Sequence, residues 1–370
     1  MSAATQGRIE GLVAWRALLM LGGLLLHATM GREDYAPFAA INIVSGSFRM
    51  GTFFMISGLL TGFALTRHPD GPEWVTRRLL QLAVPTLVGL AVICPVVRML
   101  LVAGEPGSTP PLSVYHLWFM VALMHYTGIA WLVARVDRRW PLFRRVESGT
   151  MLARLRQSLL LVAVGTLAFL LMVETSAATA WLDDQGESLL RHLPLVVGYA
   201  PLFLLGLACG QMPTLRRILT GGVGVPAAII AVATMAHLGA RWWLPLLRPE
   251  VAASAEQLLL MAGAAWCPPA ATALILRSAL AIRRVPVVLA QLSDASLTMY
   301  LLHYPLMLAA RLAIAPLAPS PWTGFAVMLV AGGSLSYLIH RRVVLRVPLV
   351  ALLLTGRWPR RSTALQPVTV

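Results

Sequence analysis

Residues 16–27 read Arg-Ala-Leu-Leu-Met-Leu-Gly-Gly-Leu-Leu-Leu-His. Ten uncharged residues separate an arginine from a histidine, and the apolar run continues to about residue 30. As a helix, eleven steps of about 100° leave Arg16 and His27 about 20° apart around the axis and roughly 16 Å apart along it. The two side chains share one face and lie about half a bilayer apart in depth. An ionisable group at membrane depth costs on the order of 3 kcal/mol on insertion scales and by default marks function. Arg16 and His27 are therefore the first candidates for catalysis.

The rest of the chain gives this helix its setting. The protein has 370 residues, 58% hydrophobic and 12% charged, with a mean hydropathy of +0.75. A soluble core cannot absorb that much apolar sequence, so the composition predicts an all-α polytopic membrane bundle. Ten apolar segments are long enough to span, at roughly 12–30, 43–66, 80–103, 115–135, 157–178, 192–211, 222–240, 255–276, 295–315 and 322–345. No polar stretch could fold as a separate soluble domain. The expected organisation is one transmembrane domain over residues 1–350 and a short basic tail over 351–370.

The formal net charge is +15, and every one of the 30 basic residues is arginine. Position argues against nucleic acid as the partner. Arginines concentrate in alternate loops: Arg67, Arg77 and Arg78; then Arg138, Arg139, Arg144, Arg145, Arg154 and Arg156; then Arg216 and Arg217; then Arg277, Arg283 and Arg284; then Arg357, Arg360 and Arg361. The opposite loops carry Glu33, Asp34, Glu105, Asp183, Asp184, Glu187 and Glu250. This is the positive-inside pattern, and it puts both termini in the cytoplasm. Trp181, Trp242, Trp243 and Trp322 fall where an outer aromatic belt would hold them. Cys94, Cys209 and Cys267 lie in apolar stretches without a Cys-x-x-Cys pair, so they are expected as buried thiols. No spacing suits a metal, and no glycine loop suits a phosphate.

Several further residues belong with the Arg16–His27 pair. Segment 2 opens Ser47-Phe48-Arg49-Met50-Gly51, which places Arg49 in the outer half at a depth like that of His27. An arginine there wants an anion or a lipid phosphate. Ser57 and Gly58 in the same segment suit close helix packing. Arg77 and Arg78, before segment 3, either signal topology or clamp a polyphosphate arriving from the cytoplasm. Segment 4 opens His116-Leu117-Trp118, a pairing that suits a stacked sugar or a membrane interface. Segment 9 carries Asp294 at its start, read as a helix cap. It also carries Tyr300 and His303 three residues apart on one face, for a polar ligand or for packing. Glu174 reads as a snorkelling carboxylate. The prolines gather near segment ends, Pro95 and Pro201 excepted, which disfavours the broken helices of a transporter.

Four elements in order resemble the acyltransferase-3 family of integral membrane acyltransferases. They are the Arg-x10-His helix, the Phe-Phe-x-x-Ser-Gly run at 53–58, the Arg-Arg start of segment 3, and the run Ser-Leu-Thr-Met-Tyr-Leu-Leu-His-Tyr-Pro at 296–305, of the form Ser-x-x-x-Tyr-Leu-x-His-x-Pro. The closest likeness is to members that succinylate periplasmic glucans. The resemblance implies a ten-helix bundle in the bacterial inner membrane. It also implies acyl transfer from cytoplasmic acyl-CoA, succinyl-CoA or acetyl-CoA, to a periplasmic glucan or other envelope glycan, with membrane lipid around it. No permanently bound cofactor is implied. His27 would be catalytic and Arg16 its helper. Arg77 and Arg78 would hold CoA, and Arg49, His116, Trp118, Tyr300 and His303 would hold the remaining substrate. Whether His27 acts as base or as transient acyl carrier stays open. Two departures bear on acyl and acceptor identity: Val13 stands where many members have aspartate, and Gly51 where a bulkier residue is common. An O-acetyltransferase and a transporter or flippase are the alternatives.

Reporter fusions test the topology. Fusions after residues 30, 110, 185 and 246 should report periplasm, and those after 72, 145, 215 and 370 cytoplasm. A periplasmic C-terminus would invert the assignment of every site.

Overall fold

A computed structural model describes residues 9–32, 35–67, 72–105, 107, 110, 113–183 and 192–357. Helix α1 (Gly11–Ala28) leads through a short loop into α2 (Ala36–Arg67). Next come α3 (Pro72–Val88), a π turn at Gly89–Ile93, and α4 (Cys94–Gly104), stacked as one span. Then follow α5 (Trp118–Arg139), the short α6 (Leu142–Ser148) and α7 (Thr150–Arg154), and α8 (Gln157–Asp183). The chain continues through α9 (Leu193–Gln211), the short α10 (Pro213–Leu219), α11 (Gly224–Trp243), α12 (Pro249–Ala281) and α13 (Val287–Ile314). The last span joins α14 (Pro321–Val330) and α15 (Ser336–Ile339) with π turns at Ala331–Leu335 and His340–Val344, and α16 (Pro348–Thr355) ends the described chain.

Ten helices are long and apolar enough to cross a membrane, in the order the hydropathy predicts. No strand occurs among the described residues. Large apolar side chains such as Met99, Val232 and Leu159 are exposed, as a lipid-facing surface requires. Trp242, Trp243 and Trp322 are exposed near span ends. Glu174 is exposed, and the three cysteines are free and buried. Glu33, Asp34, Asp184, Glu187, Arg360 and Arg361, and the side chains of Trp181 and Asp183, lie outside the described residues. The position 350/351 falls inside α16, which packs against α3; Gly356 turns the chain in the left-handed region (φ 63°) beside the Gln81 backbone.

Two seams centre the bundle on α2. Along α9, Gly58 faces the Phe203 carbonyl, Gly206 faces the Met55 carbonyl, and Gly62 faces Gly210, so the two backbones touch. Lipid gives helices no hydrophobic drive to associate, and such small-residue contact supplies packing instead. Gly58 thus has its expected role, while Ser57 turns to an internal cavity. Along α12, a Cβ at Gly51 would sit 2.6 Å from the Pro268 ring, which explains the missing bulk at that position. Phe54 is fully buried, with ring centroids 4.7 Å from Phe119, 5.0 Å from Tyr126 and 5.4 Å from Tyr199.

Two expectations need correction. Pro85, Pro201, Pro268, Pro269 and Pro305 all lie inside helices. Packing within a bundle tolerates such prolines; at one of them the Pro268 carbonyl accepts from the Thr272 hydroxyl of its own helix at 2.8 Å and from the Thr52 hydroxyl of α2 at 3.4 Å. Proline placement therefore does not separate an enzyme from a transporter here. Asp294 is not a cap, because Pro286, in extended conformation, starts α13 eight residues earlier.

The α2–α9 seam makes a testable pair. Gly206→Ala should destabilise by about 1–3 kcal/mol, since its Cβ meets main chain that cannot yield. Gly239→Ala, in open space on α11, should be neutral or gain up to about 1 kcal/mol. Unfolding of the detergent-solubilised protein checks both, and equal responses would remove the seam as a stability determinant.

Candidate active site

Three helices set a common stripe inward. On α1 the stripe includes Val13, Arg16, Met20, Gly23 and His27, with Met30 just beyond the helix end; on α2 it includes Gly46, Arg49, Phe53, Ser57, Leu60 and Ala64; on α13 it includes Ser293, Ser296, Tyr300, His303 and Tyr304. Steps of three and four are the spacing of one helix face. The stripes surround one cavity of about 1440 Å³. Arg16, His27, Arg49, Arg77, Arg78, His116, Trp118, Tyr300 and His303 all line it, so the structure brings every one of the candidate residues to a single void.

The cavity has two chemically distinct ends. One holds Arg16, Arg77, Arg78 and Arg357, with Trp74 beside them. Arg77 lies at the rim, mostly exposed, 3.9 Å from Glu73. Arg16 and Arg78 make no hydrogen bond or ion pair among the described residues, which leaves their donors for a ligand. His340 and Asp294 stand at this end too. The buried His340 shares one ring nitrogen with the Asp294 carboxylate at 3.3 Å and the other with the Thr298 hydroxyl at 2.9 Å. This ties α13 to the last span at the start of a π turn, a geometry frequent at functional sites. Asp294 keeps 64% of its side chain exposed and faces the cavity.

The other end holds His27, Arg49, His116, Trp118, Tyr300, His303 and Tyr304. His27 packs 5.1 Å from the His303 ring and 5.2 Å from the Tyr304 ring. His303 is 5.4 Å from His116, which stacks on Tyr304 at 5.1 Å. Trp118 stacks on His192 at 5.5 Å. The Tyr300 hydroxyl donates to the His116 carbonyl, and the His116 ring reaches the Leu301 carbonyl at 3.2 Å. The residue before His116, Tyr115, holds a left-handed backbone (φ 43°). A non-glycine residue there stores strain, and strain of this kind clusters at functional sites.

Arg49 owes its place to a glycine pair. Its Nε donates to the Ser45 hydroxyl at 3.0 Å, and Ser45 donates to the Gly22 carbonyl at 3.4 Å. A Cβ at Gly23 would lie 2.8 Å from Arg49 Nη1. The guanidinium therefore lies flat on α1, one turn below His27 on the same face. Sequence reading missed Gly23, His340 and the Asp294 pairing. A histidine just before Arg341 and Arg342 at a span end carried the same signal as Arg16; the glycine pair carried none.

Among the described residues, five arginines and one carboxylate line the cavity. Four histidines join them, so an anionic ligand and proton transfer are the chemistries this lining can serve.

Comparison with known proteins gives the family. The acyltransferase-3 family model, described as an acyltransferase domain, matches residues 9–341. The chain belongs to that family and is a multi-pass membrane acyltransferase. It is similar to glucans biosynthesis protein C of Escherichia coli strain K12, 23% identical over 92% of this chain and 93% of the relative. The same protein of Escherichia coli O9:H4 strain HS is likewise 23% identical, over the same shares. No solved structure matches the chain.

The arginine end can be tested without any acyl group. Inorganic diphosphate in hundredfold excess over its Kd should stabilise the protein by about 2.7 kcal/mol. Arg16→Gln and Arg78→Gln should each shrink that gain, and Arg342→Gln, exposed and outside the cavity, should not. Equal stabilisation of all three variants would remove the arginine end as an anion seat.

Proposed function

We propose that this protein transfers a succinyl group from cytoplasmic succinyl-CoA to hydroxyls of a periplasmic glucan, across the bacterial inner membrane. The observation that carries the reading is the single cavity joining an arginine-lined end to the His27–Arg49 end. Alternating loop charge supports placing the arginine end toward the cytoplasm. CoA brings several phosphate charges, which suit Arg16, Arg77 and Arg78, and its extended arm suits the roughly 16 Å rise from Arg16 to His27. A sugar entering from the other side meets Trp118 and His116, an aromatic face with a hydrogen-bonding partner. The name of the similar Escherichia coli proteins, glucans biosynthesis protein C, favours a glucan as acceptor.

His27 would act as general base on the acceptor hydroxyl or carry the acyl group briefly, since an imidazole can accept a proton or act as a nucleophile. Arg49 would select the acyl group. A carboxylate moved into a membrane interior is costly without a partner. Arg49 lies against Gly23 on α1, and Gly23 and His27 are one turn apart, about 5–6 Å at Cβ spacing. A four-carbon diacid can put its thioester at His27 and its free carboxylate on Arg49, whereas acetyl leaves Arg49 unpaired. Tyr300, donating to the His116 carbonyl, would keep the sugar-facing wall in place.

The assay is CoA release and glycan mass spectrometry with purified protein, glucan and either donor. His27→Ala should lose about 10²–10⁴-fold in rate. Arg49→Gln should lose succinyl transfer far more than acetyl transfer, because removing one partner of a buried pair costs about 3–5 kcal/mol. Equal loss with both donors would make Arg49 structural. A wild-type preference for acetyl-CoA would mark an O-acetyltransferase, and no CoA release at all would reject acyl-CoA as donor.

A further inference from the structure

Three imidazoles meet at the far end of the cavity, and the backbone commits two of them. His303 Nδ1 faces the Met299 carbonyl at 3.0 Å and the Tyr300 carbonyl at 2.8 Å. Carbonyl oxygens only accept, so Nδ1 carries the ring proton and Nε2 holds a lone pair. His116 is committed the opposite way. Its Nε2 donates to the Leu301 carbonyl at 3.2 Å, which leaves the lone pair on Nδ1. That Nδ1 is buried and has no partner, and the residue itself is 7% exposed. His27 differs from both: it makes no hydrogen bond among the described residues, so both of its ring nitrogens are uncommitted.

The His27 and His303 ring centroids are 5.1 Å apart. The two rings share no hydrogen bond as they stand; each ring nitrogen lies about 1 Å from its own centroid, so a turn of the His27 ring that faces one of its nitrogens to His303 brings the pair to about 3 Å, the length of a hydrogen bond. The only carboxylate lining the cavity among the described residues, Asp294, is held by His340 at the arginine end. The usual acidic partner that orients a catalytic histidine is thus missing beside His27, and a neutral imidazole with its lone pair outward stands in that place.

We propose that His303 is the positioning residue for His27: its Nε2 accepts one His27 ring N–H and so leaves the other His27 nitrogen as a base toward the cavity. This rests on the acyl-transfer reading with His27 as base. In that step the free His27 nitrogen takes the proton of the acceptor hydroxyl as its oxygen bonds to the acyl carbon. The carbon–sulfur bond breaks, sulfur leaves with the electron pair, and the proton passes from His27 to the thiolate. Between the two transfers His27 is positively charged, and its second N–H shares that charge with His303 Nε2. The unpartnered His116 Nδ1 is an acceptor for a hydroxyl that the substrate brings.

Two substitutions separate the ends of the His303 ring. His303→Asn keeps a donor toward the Met299 and Tyr300 carbonyls and loses the distal acceptor. His303→Gln can place an amide oxygen near the position of Nε2. In the CoA-release assay His303→Asn should lower kcat at least about hundredfold with KM for either substrate little changed. His303→Gln should recover tenfold or more of that loss. Equal impairment of both variants, or a raised KM with kcat retained, would overturn the proposal. Nitrogen-15 histidine NMR of the detergent-solubilised protein needs no substrate. It should show His303 protonated at Nδ1 and the His27 signals shifted by His303→Asn; unshifted His27 signals would overturn the pairing. Wild-type protein that releases no CoA would count against the acyl-transfer reading alone, and the NMR would still decide whether His303 holds His27.

Discussion

An unpaired cation cannot face hydrocarbon, and this bundle carries five arginines around one internal space with one carboxylate among them. Everything else in the architecture answers that constraint. The helices turn their apolar sides to lipid and their charged stripe inward, so the guanidinium groups keep a solvated, ligand-accessible lining. Arg49 is the sharpest case. It reaches the interior only because Gly22 and Gly23 leave a flat patch on α1, and Ser45 anchors its Nε. The resulting electropositive space favours anions before any specific contact is made.

Close backbone packing makes such a space possible. α2 is locked to α9 by glycines on both sides and to α12 through Gly51 and the Pro268 ring. These seams hold one wall of the cavity rigid. The opposite wall is less regular: the last span contains two π turns, and the second begins at His340, which bridges to Asp294 on α13. A rigid wall carrying Arg49 and an irregular wall carrying the His340–Asp294 pair together frame α1, where Arg16 and His27 lie.

The histidine cluster shows how ring tautomers can be set without an acid among the described residues. Backbone carbonyls of α13 orient His303 and His116, and their lone pairs are then directed by geometry rather than by charge. A carboxylate in this position would neutralise Arg49 and compete with an acidic acyl group for it. On the proposed reading, the absence of an acid at this end among the described residues and the presence of Arg49 serve the same purpose: the substrate itself brings the negative charge.

Apolar segment length and loop charge were enough to reveal ten spans in order, because membrane insertion is decided locally, segment by segment. The Arg16–His27 stripe was equally legible, since helix periodicity alone places residues eleven apart on one face. That Arg77, Arg78, Arg49, His116, Trp118, Tyr300 and His303 would share a cavity with them was an expectation that only tertiary packing could meet. Helix length misled at Asp294, where a polar start to the apolar run hid seven preceding helical residues. Hydropathy also hid the interior prolines, which packing among neighbouring helices allows inside a span. His303 is oriented by carbonyls of its own helix, whereas the seat of Arg49 on Gly23, the Asp294–His340 bridge and the His116 tautomer depend on contacts between separate helices. Such contacts are set by how surfaces interlock in three dimensions, and no local pattern of residues records them.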